Sequence, residues 1–404
     1  MADSESANDG NGDRLGIAIS GGSMGGLFTG LALDDADRDV NVEVFERSTG
    51  ELRSRGAGIV AQPTILDFIE THSIADPEAI TTTTSTRQYL DRRGGVERVY
   101  DESMTFTSWD GLYRRLRDAF PDENYHPGRT TIDIDESGTR THDMATESNE
   151  PTDGGHGEGP TLRFENGETL RTDVAVVAEG GQSAAREELL PEVVPEYAGY
   201  VAWRGVTPEG SVPPDAHERF EDTFTFYEGS DDLVLAYLIP GPDGSTDVGE
   251  RRLNWVWYDS IERTDRRRLM TDLDGRTHEF SVPPGDLRTD VDEGLLTGAE
   301  KRLPSTFADL VRATDDRFVQ TIYDLEVPRT TVDRVCLLGD AAFVARPHTA
   351  AGTAKAAADG IALADALEAN DGIETALDDW ERTRRKAGQR LVERGRRMGE
   401  SYME

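Results

Sequence analysis

Cysteine occurs once in 404 residues, at Cys336. An intramolecular disulfide and a thiolate-held metal cluster are thereby excluded. Lysine is almost as scarce, with Lys301, Lys355 and Lys386 the only three, so nearly all of the basic charge is arginine. The seven histidines are scattered without H-E-x-x-H or comparable ligand spacing, and no metal site is expected. No run approaches the ~20 apolar residues of a membrane-spanning helix. Residues 1–13 lack the basic and apolar regions of a secretory signal and read as a disordered acidic tail. A cytoplasmic protein without membrane attachment is expected.

Acid is what the chain has in excess. Asp and Glu number 79 against 43 Lys and Arg, for a net charge of −36, and they are spread over the whole length. Such a surface repels itself in dilute salt, whereas about 1 M salt shortens the screening length to ~3 Å. The composition suggests a halophilic protein from a salt-rich cytoplasm and argues against nucleic acid as a partner. The length is enough to bury a large core and suggests two domains.

The stretch from Leu15 to Arg47 organises the rest. Leu15-Gly16-Ile17-Ala18-Ile19 reads as a strand of the kind buried in a parallel sheet. Gly21-Gly22-Ser23-Met24-Gly25-Gly26 follows, then a helical run from Leu27 to Leu33. A second strand, Val40 to Phe45, ends in Glu46-Arg47. This is a βαβ unit with a glycine-rich first turn, the dinucleotide-binding arrangement. Gly21 would allow the tight turn and Gly26 the close approach of helix to strand. The helix N-terminus would offer unpaired N–H groups to a pyrophosphate. Glu46, 20 residues after Gly26, is placed to accept hydrogen bonds from ribose hydroxyls. Ser23 stands where the motif has its middle glycine. The same residues spell G-x-S-x-G, the nucleophile elbow of serine hydrolases. An elbow follows earlier strands that supply an oxyanion loop, and here only one strand precedes it.

Further along, Pro63 opens a helix through Glu70, Thr81 to Tyr100 reads as strands and turns, and Ser108 caps a helix carrying Leu112, Leu116 and Phe120. Residues 139–160 have almost no apolar side chains and read as a surface insertion. Val174 to Ala178 is another buried strand, leading into Glu179-Gly180. From Tyr197 to Tyr258 aromatic and β-branched residues alternate, as in antiparallel strands of a second domain. Val335 to Leu338 returns to the first pattern and ends in Gly339-Asp340-Ala341-Ala342. An alanine-rich helix from Gly352 to Leu367 and a C-terminal helix from Thr375 close the chain. The basic string of the latter is expected to pair with nearby carboxylates.

Three separated motifs act together: Gly21 to Gly26 with Glu46-Arg47; Ala178-Glu179-Gly180 through Arg186; and Gly339-Asp340-Ala341-Ala342 with Pro347 and Gly352 behind it. Their order and spacing resemble the single-component FAD-dependent aromatic hydroxylases of the para-hydroxybenzoate hydroxylase type. Arg55 to Ile59, Thr107 to Asp110, Gly199 to Gly205 and Phe343 to His348 look like the 2,6-dihydroxypyridine 3-monooxygenase branch. The resemblance implies an α/β fold, with a doubly wound, Rossmann-like FAD domain interrupted by a β-rich substrate domain and followed by C-terminal helices. The implied boundaries are 14–75, 101–190 and 290–404 for the FAD domain, and 76–100 and 191–289 for the substrate domain.

It further implies non-covalent FAD and NAD(P)H as co-substrate. Cofactor contacts are expected from Gly21, Ser23, Met24, Gly25, Gly26, Glu46, Arg47, Arg55, Glu179, Asp340, Pro347, Gly352 and Thr353. Glu179 departs from the family's usual Asp, and Trp109 stands where many relatives have a flavin-contacting Arg. The implied activity is hydroxylation of an activated aromatic or N-heteroaromatic ring with O2. Alternatives are an FAD-dependent reductase or dehydrogenase without oxygen insertion, a serine hydrolase acting through Ser23, and a non-catalytic nucleotide sensor. A homodimer is left open. For the substrate, Arg204 either points to solvent or faces a ligand anion. His348 either caps a helix or, with a reference pKa near ~6.5, takes a proton from a substrate hydroxyl. Tyr237 is either core or pocket.

Overall fold

The computed structural model describes residues 14–50, 52, 58–135 and 159–403. The tail, Arg55 and nearly all of the 139–160 insertion lie outside the described residues. Among the described residues the strands form three sheets. The first is built on the opening βαβ unit. Leu15–Ser20 lies between Val40–Glu46 on one side and Val174–Val177 on the other, all parallel. Tyr125–Pro127 extends the sheet beyond Val40–Glu46, and Val335–Leu337 extends it beyond Val174–Val177. The chain thus leaves the first strand in one direction and later returns on its other side. That topological switch point puts a crevice outside the C-terminal ends of these strands.

These strands are almost continuously apolar because both faces are covered. The helix Met24–Asp34 is buried along nearly its whole length, which is why it lacks an amphipathic stripe. It packs against the alanine-rich helix Gly352–Ala369 so closely that a Cβ at Gly360 would lie 2.7 Å from the Thr29 Cα. The 31-residue helix Ile373–Met403 then crosses both sheets' territory, with Trp380 buried at the centre of the first core.

The second sheet is mostly antiparallel and built around Glu196–Pro208, which pairs with Arg252–Ser260 and with Phe318–Glu326. Asp232–Ile239, Thr223–Glu228, Thr82–Leu90 and Val96–Ser108 continue it outward. Alternation splits its residues between two faces. Val201, Trp203, Trp255 and Trp257 pack beneath the helices Thr289–Arg302 and Ser305–Arg312. Tyr200, Ala202, Tyr237, Val256 and Tyr258 occupy the other face. The third sheet is a small meander of Thr131–Asp135, Thr161–Phe164 and Thr169–Arg171.

The doubly wound α/β fold with an interposed β-rich part is therefore the one observed. One boundary moves. Residues 290–326 were expected with the nucleotide-binding part, but their helices and strand pack with the β-rich sheet. Helical periodicity shows that a face is buried and not which sheet buries it.

Candidate active site

The glycine turn takes its shape from two positions. Gly21 has φ +109°, and a Cβ there would sit 2.5 Å from the Ala178 carbonyl oxygen. A Cβ on Gly26 would overlap the Gly21 carbonyl oxygen, so helix and strand approach at backbone distance. Gly21, Ser23, Met24 and Gly25 line a large cavity. Gly26 lies beneath its wall, so its part is close packing and not direct contact. Ser23 occupies the N-cap position, but its hydroxyl makes no capping bond and has no hydrogen-bonded base among the described residues. The hydrolase reading is left without a proton acceptor.

Glu46 is buried and already engaged: the Gly22 N–H donates to it at 2.9 Å and the Ser48 N–H at 2.9 Å. Its carboxylate thus ties the turn to the end of the second strand and stands on the cavity wall beside Arg47. Glu179 is similarly committed. It accepts from the Ser20 hydroxyl at 2.6 Å, the Ser183 hydroxyl at 2.7 Å and the Ala185 N–H at 3.2 Å. The extra methylene relative to Asp lets it reach the start of the helix Ala184–Leu189.

Asp340 is different. Gly339, at φ +57°, turns the chain out of the strand Val335–Leu337 and delivers Asp340 to the cavity. The Asp340 carboxylate accepts no hydrogen bond from any described residue and is exposed to the cavity. Protein nevertheless surrounds it, and the loss of hydration holds its carboxyl above the usual carboxylate range, with Lys355 opposing. Both descriptions hold, since the carboxylate is open only toward the cavity. Opposite, the short turn Pro347–Thr349 and the left-handed Ala350 lead into the helix beginning at Gly352. Pro347, Gly352 and Thr353 all line the cavity. Trp109 lines it too, stacked on Tyr113 with ring centroids 5.3 Å apart.

The cavity has a volume of about 910 Å³ and continues past this turn to the inner face of the second sheet. Alternation from Tyr200 through Ala202 puts Arg204 on that face, so it lines the cavity and does not point to bulk solvent. Arg204 Nη1 donates to Gln320 Oε1 at 2.8 Å, while its Nε is buried without a partner among the described residues. Tyr237 also lines the cavity, its ring stacked on Phe106 with centroids 4.0 Å apart. Burial raises the Tyr237 hydroxyl, and it pushes that of Tyr258 up to about 12, with Arg204 opposing both. Both phenols stay protonated at ordinary pH.

His348 lines the chamber end of the cavity. Its Nε2 lies 2.9 Å from the Tyr200 hydroxyl, and its ring sits 4.2 Å from that of Tyr258. Burial, assisted by the Arg346 cation, pulls its pKa down to about 3. That direction favours a neutral, hydrogen-bonding imidazole. Tyr258, Phe224, Phe226 and the C-terminal residues Arg394, Met398 and Tyr402 also line this end. Sequence reasoning missed them. Strand alternation could have found Tyr258, which pairs directly with Ala202. Nothing local marks the C-terminal helix as a wall, since several of its arginines pair with acids, as Arg384 does with Asp359 and Arg397 with Glu393.

The described residues contain no cluster of acids, histidines and cysteine able to hold a metal, and no helix long and apolar enough to cross a membrane. A family model described as FAD binding domain-like matches residues 197–324. The chain is 33% identical over 390 residues to 2,6-dihydroxypyridine 3-monooxygenase of Paenarthrobacter nicotinovorans, covering 95% of this chain and 90% of that protein. The solved structure of 2,6-dihydroxypyridine-3-hydroxylase from Arthrobacter nicotinovorans superposes with a TM-score of 0.86 at 31% identity, over 96% of this chain and 93% of that one. Klebsiella pneumoniae HpxO, complexed with FAD and uric acid, shares the fold at 20% identity, with a TM-score of 0.71 over 97% of this chain and 90% of that one. With a glycine turn, an unpartnered strand-end carboxylate and an aromatic chamber joined in one cavity, this chain belongs to the FAD-dependent aromatic hydroxylase family of monooxygenases.

Proposed function

We propose that this enzyme adds one oxygen atom of O2 to an electron-rich aromatic or N-heteroaromatic ring, drawing electrons from NADH or NADPH. The observation that carries the reading is the continuity of the cavity. The wall that suits a dinucleotide leads directly into a chamber lined by Arg204, Arg87 and Arg394 and several aromatic rings. The residues present fit FAD. Backbone N–H groups at the start of the helix Met24–Asp34 would face the pyrophosphate and Glu46 with Arg47 the adenosine end. Asp340 would accept from the ribityl hydroxyls, and the helix start at Gly352 and Thr353 would face the pyrimidine edge. When bound, FAD supplies the electron transfer and oxygen activation, and the protein supplies position, polarity and exclusion of water.

In the chamber Arg204 is a permanent cation whose planar fork suits an oxyanion. It favours a ring whose hydroxyl has ionised, which is the electron-rich form. Tyr237 and Tyr258, held protonated by burial, donate hydrogen bonds. Neutral His348, fixed by Tyr200, orients the ring and does not take its proton. The 33% identical relative is named for dihydroxypyridine, which has this chemistry and is the first substrate to try. The β-rich part, residues 76–100 and 191–326, supplies the substrate wall, and the −36 charge suits a salt-rich cytoplasm.

The test is a visible spectrum of pure protein in molar KCl, then oxygen uptake and NAD(P)H oxidation with 2,6-dihydroxypyridine, phenols and purines. Yellow protein and hydroxylated product are expected. Protein that stays colourless with added FAD would remove the reading, and reduction without oxygen consumption would favour the reductase.

A further inference from the structure

Lys355 is one of three lysines in a chain that otherwise uses arginine, and it is 7% exposed. It stands in the first turn of its helix, where the helix dipole disfavours a cation. Two acceptors compensate. Its Nζ donates to the Gly339 carbonyl at 2.7 Å and to Asp359 Oδ2 at 3.0 Å. Asp359, 4% exposed, takes the Gly339 N–H on the same oxygen at 3.0 Å. Its other oxygen is held by Arg384 Nε at 2.7 Å, and the Trp380 indole N–H donates to its backbone carbonyl at 2.9 Å. The lysine and the aspartate therefore clasp the peptide groups on both sides of Gly339, the left-handed residue that turns Asp340 into the cavity.

We propose that Lys355 is a positioning residue for the cofactor: with Asp359 it fixes the Gly339 turn that presents the Asp340 carboxylate to FAD, and its charge supports that carboxylate. Geometry and charge point the same way. No described residue donates to the Asp340 carboxylate; the Lys355 cation opposes the effect of its desolvation, while Asp359 adds repulsion. The other titratable groups facing the cluster are Tyr323, whose hydroxyl Asp340 helps to raise, and Arg384, already committed to Asp359. A compact ammonium suits the place, because one nitrogen must reach both a carbonyl and a carboxylate in a closed space.

Removing a cation of this kind raises a neighbouring carboxyl by ~1–3 pKa units. FAD binds the ionised form, so affinity is full above the pKa of Asp340 and falls up to ~10-fold per pH unit below it. The experiment is FAD titration of apoprotein in molar KCl at pH 6, 7 and 8. It uses wild type, Lys355→Met, Asp340→Asn and the double variant. Wild type should be flat with pH, and Lys355→Met should bind more weakly and lose affinity toward pH 6. Asp340→Asn should be weak and flat, and adding Lys355→Met to it should cost little more. Lys355→Arg keeps the charge but not the compact fit, so its profile should stay flat with pH even where its larger side chain weakens binding.

A flat profile in Lys355→Met, or fully additive losses in the double variant, would overturn the proposal and leave Lys355 with packing alone. If Lys355→Met does not fold, Lys355→Gln, which keeps a donor toward Gly339, carries the same pH test. The inference rests on FAD as the cofactor, and wild type that takes up no FAD would instead remove that reading.

Discussion

The Tyr200 hydroxyl meets His348 Nε2 at 2.9 Å because a glycine stands behind it. A Cβ at Gly399 would lie 2.8 Å from that hydroxyl oxygen. Beneath the pair runs a buried ion cluster, with Asp324 bound by Arg346 at 2.9 Å and by Arg396 at 3.3 Å. The C-terminal helix is thereby locked to the wall of the chamber, and the imidazole is held by the Tyr200 hydroxyl beside the Arg346 cation.

That environment sets a pH dependence of stability. His348 titrates near ~6.5 when unfolded but at about 3 when folded. Between those values the unfolded chain binds a proton that the folded one refuses, so stability falls as pH drops from about 6.5 toward 3. His348→Asn should lessen the acid slope. Thermal midpoints from pH 7 to pH 4.5 in molar KCl provide the comparison, and parallel slopes for variant and wild type would refute the buried neutral histidine.

Arg204→Ala and His348→Ala should both keep FAD and still oxidise NAD(P)H, but deliver less of it to product and more to hydrogen peroxide. Their sizes should differ. A charge-assisted contact is worth ~1.5–3 kcal/mol, or roughly ten- to a hundredfold, against ~0.5–1.5 kcal/mol for a neutral one. The ratio of product formed to NAD(P)H consumed is the readout. Equal losses would contradict the neutral role of His348, and wild-type coupling in both would return the pair to the scaffold.

Asp340→Ala should weaken FAD roughly ten- to a hundredfold, the loss of one hydrogen bond to a charged group. The fold should survive, since no described residue donates to that carboxylate. Calorimetric titration of apoprotein measures it. Unchanged affinity would take Asp340 out of the site.

Thermal midpoints should climb from dilute buffer to molar KCl, because screening relieves repulsion within a chain of net charge −36. FAD is itself an anion, so its affinity should rise over the same range. A flat or falling midpoint would mean that ion pairs, which salt weakens, outweigh the repulsion.

The sequence by itself determined whatever is local or periodic. The glycine turn, Glu46 at its strand end, Gly339-Asp340 after a buried strand and the Ser108 cap all follow from short-range sterics and hydrogen bonding, and each stands where those forces put it. For Arg204 the pattern left two directions open, toward solvent or toward a ligand. Only the tertiary structure decided between them, because alternation defines two faces and does not say which one meets a cavity. Distance in the chain hid the rest. Residues 290–326 cover the second sheet, Arg394 and Tyr402 close a chamber opened by residues far earlier, and His348 loses its basicity to burial. Charge state, unlike helix or strand, is set by neighbours that the local sequence does not contain.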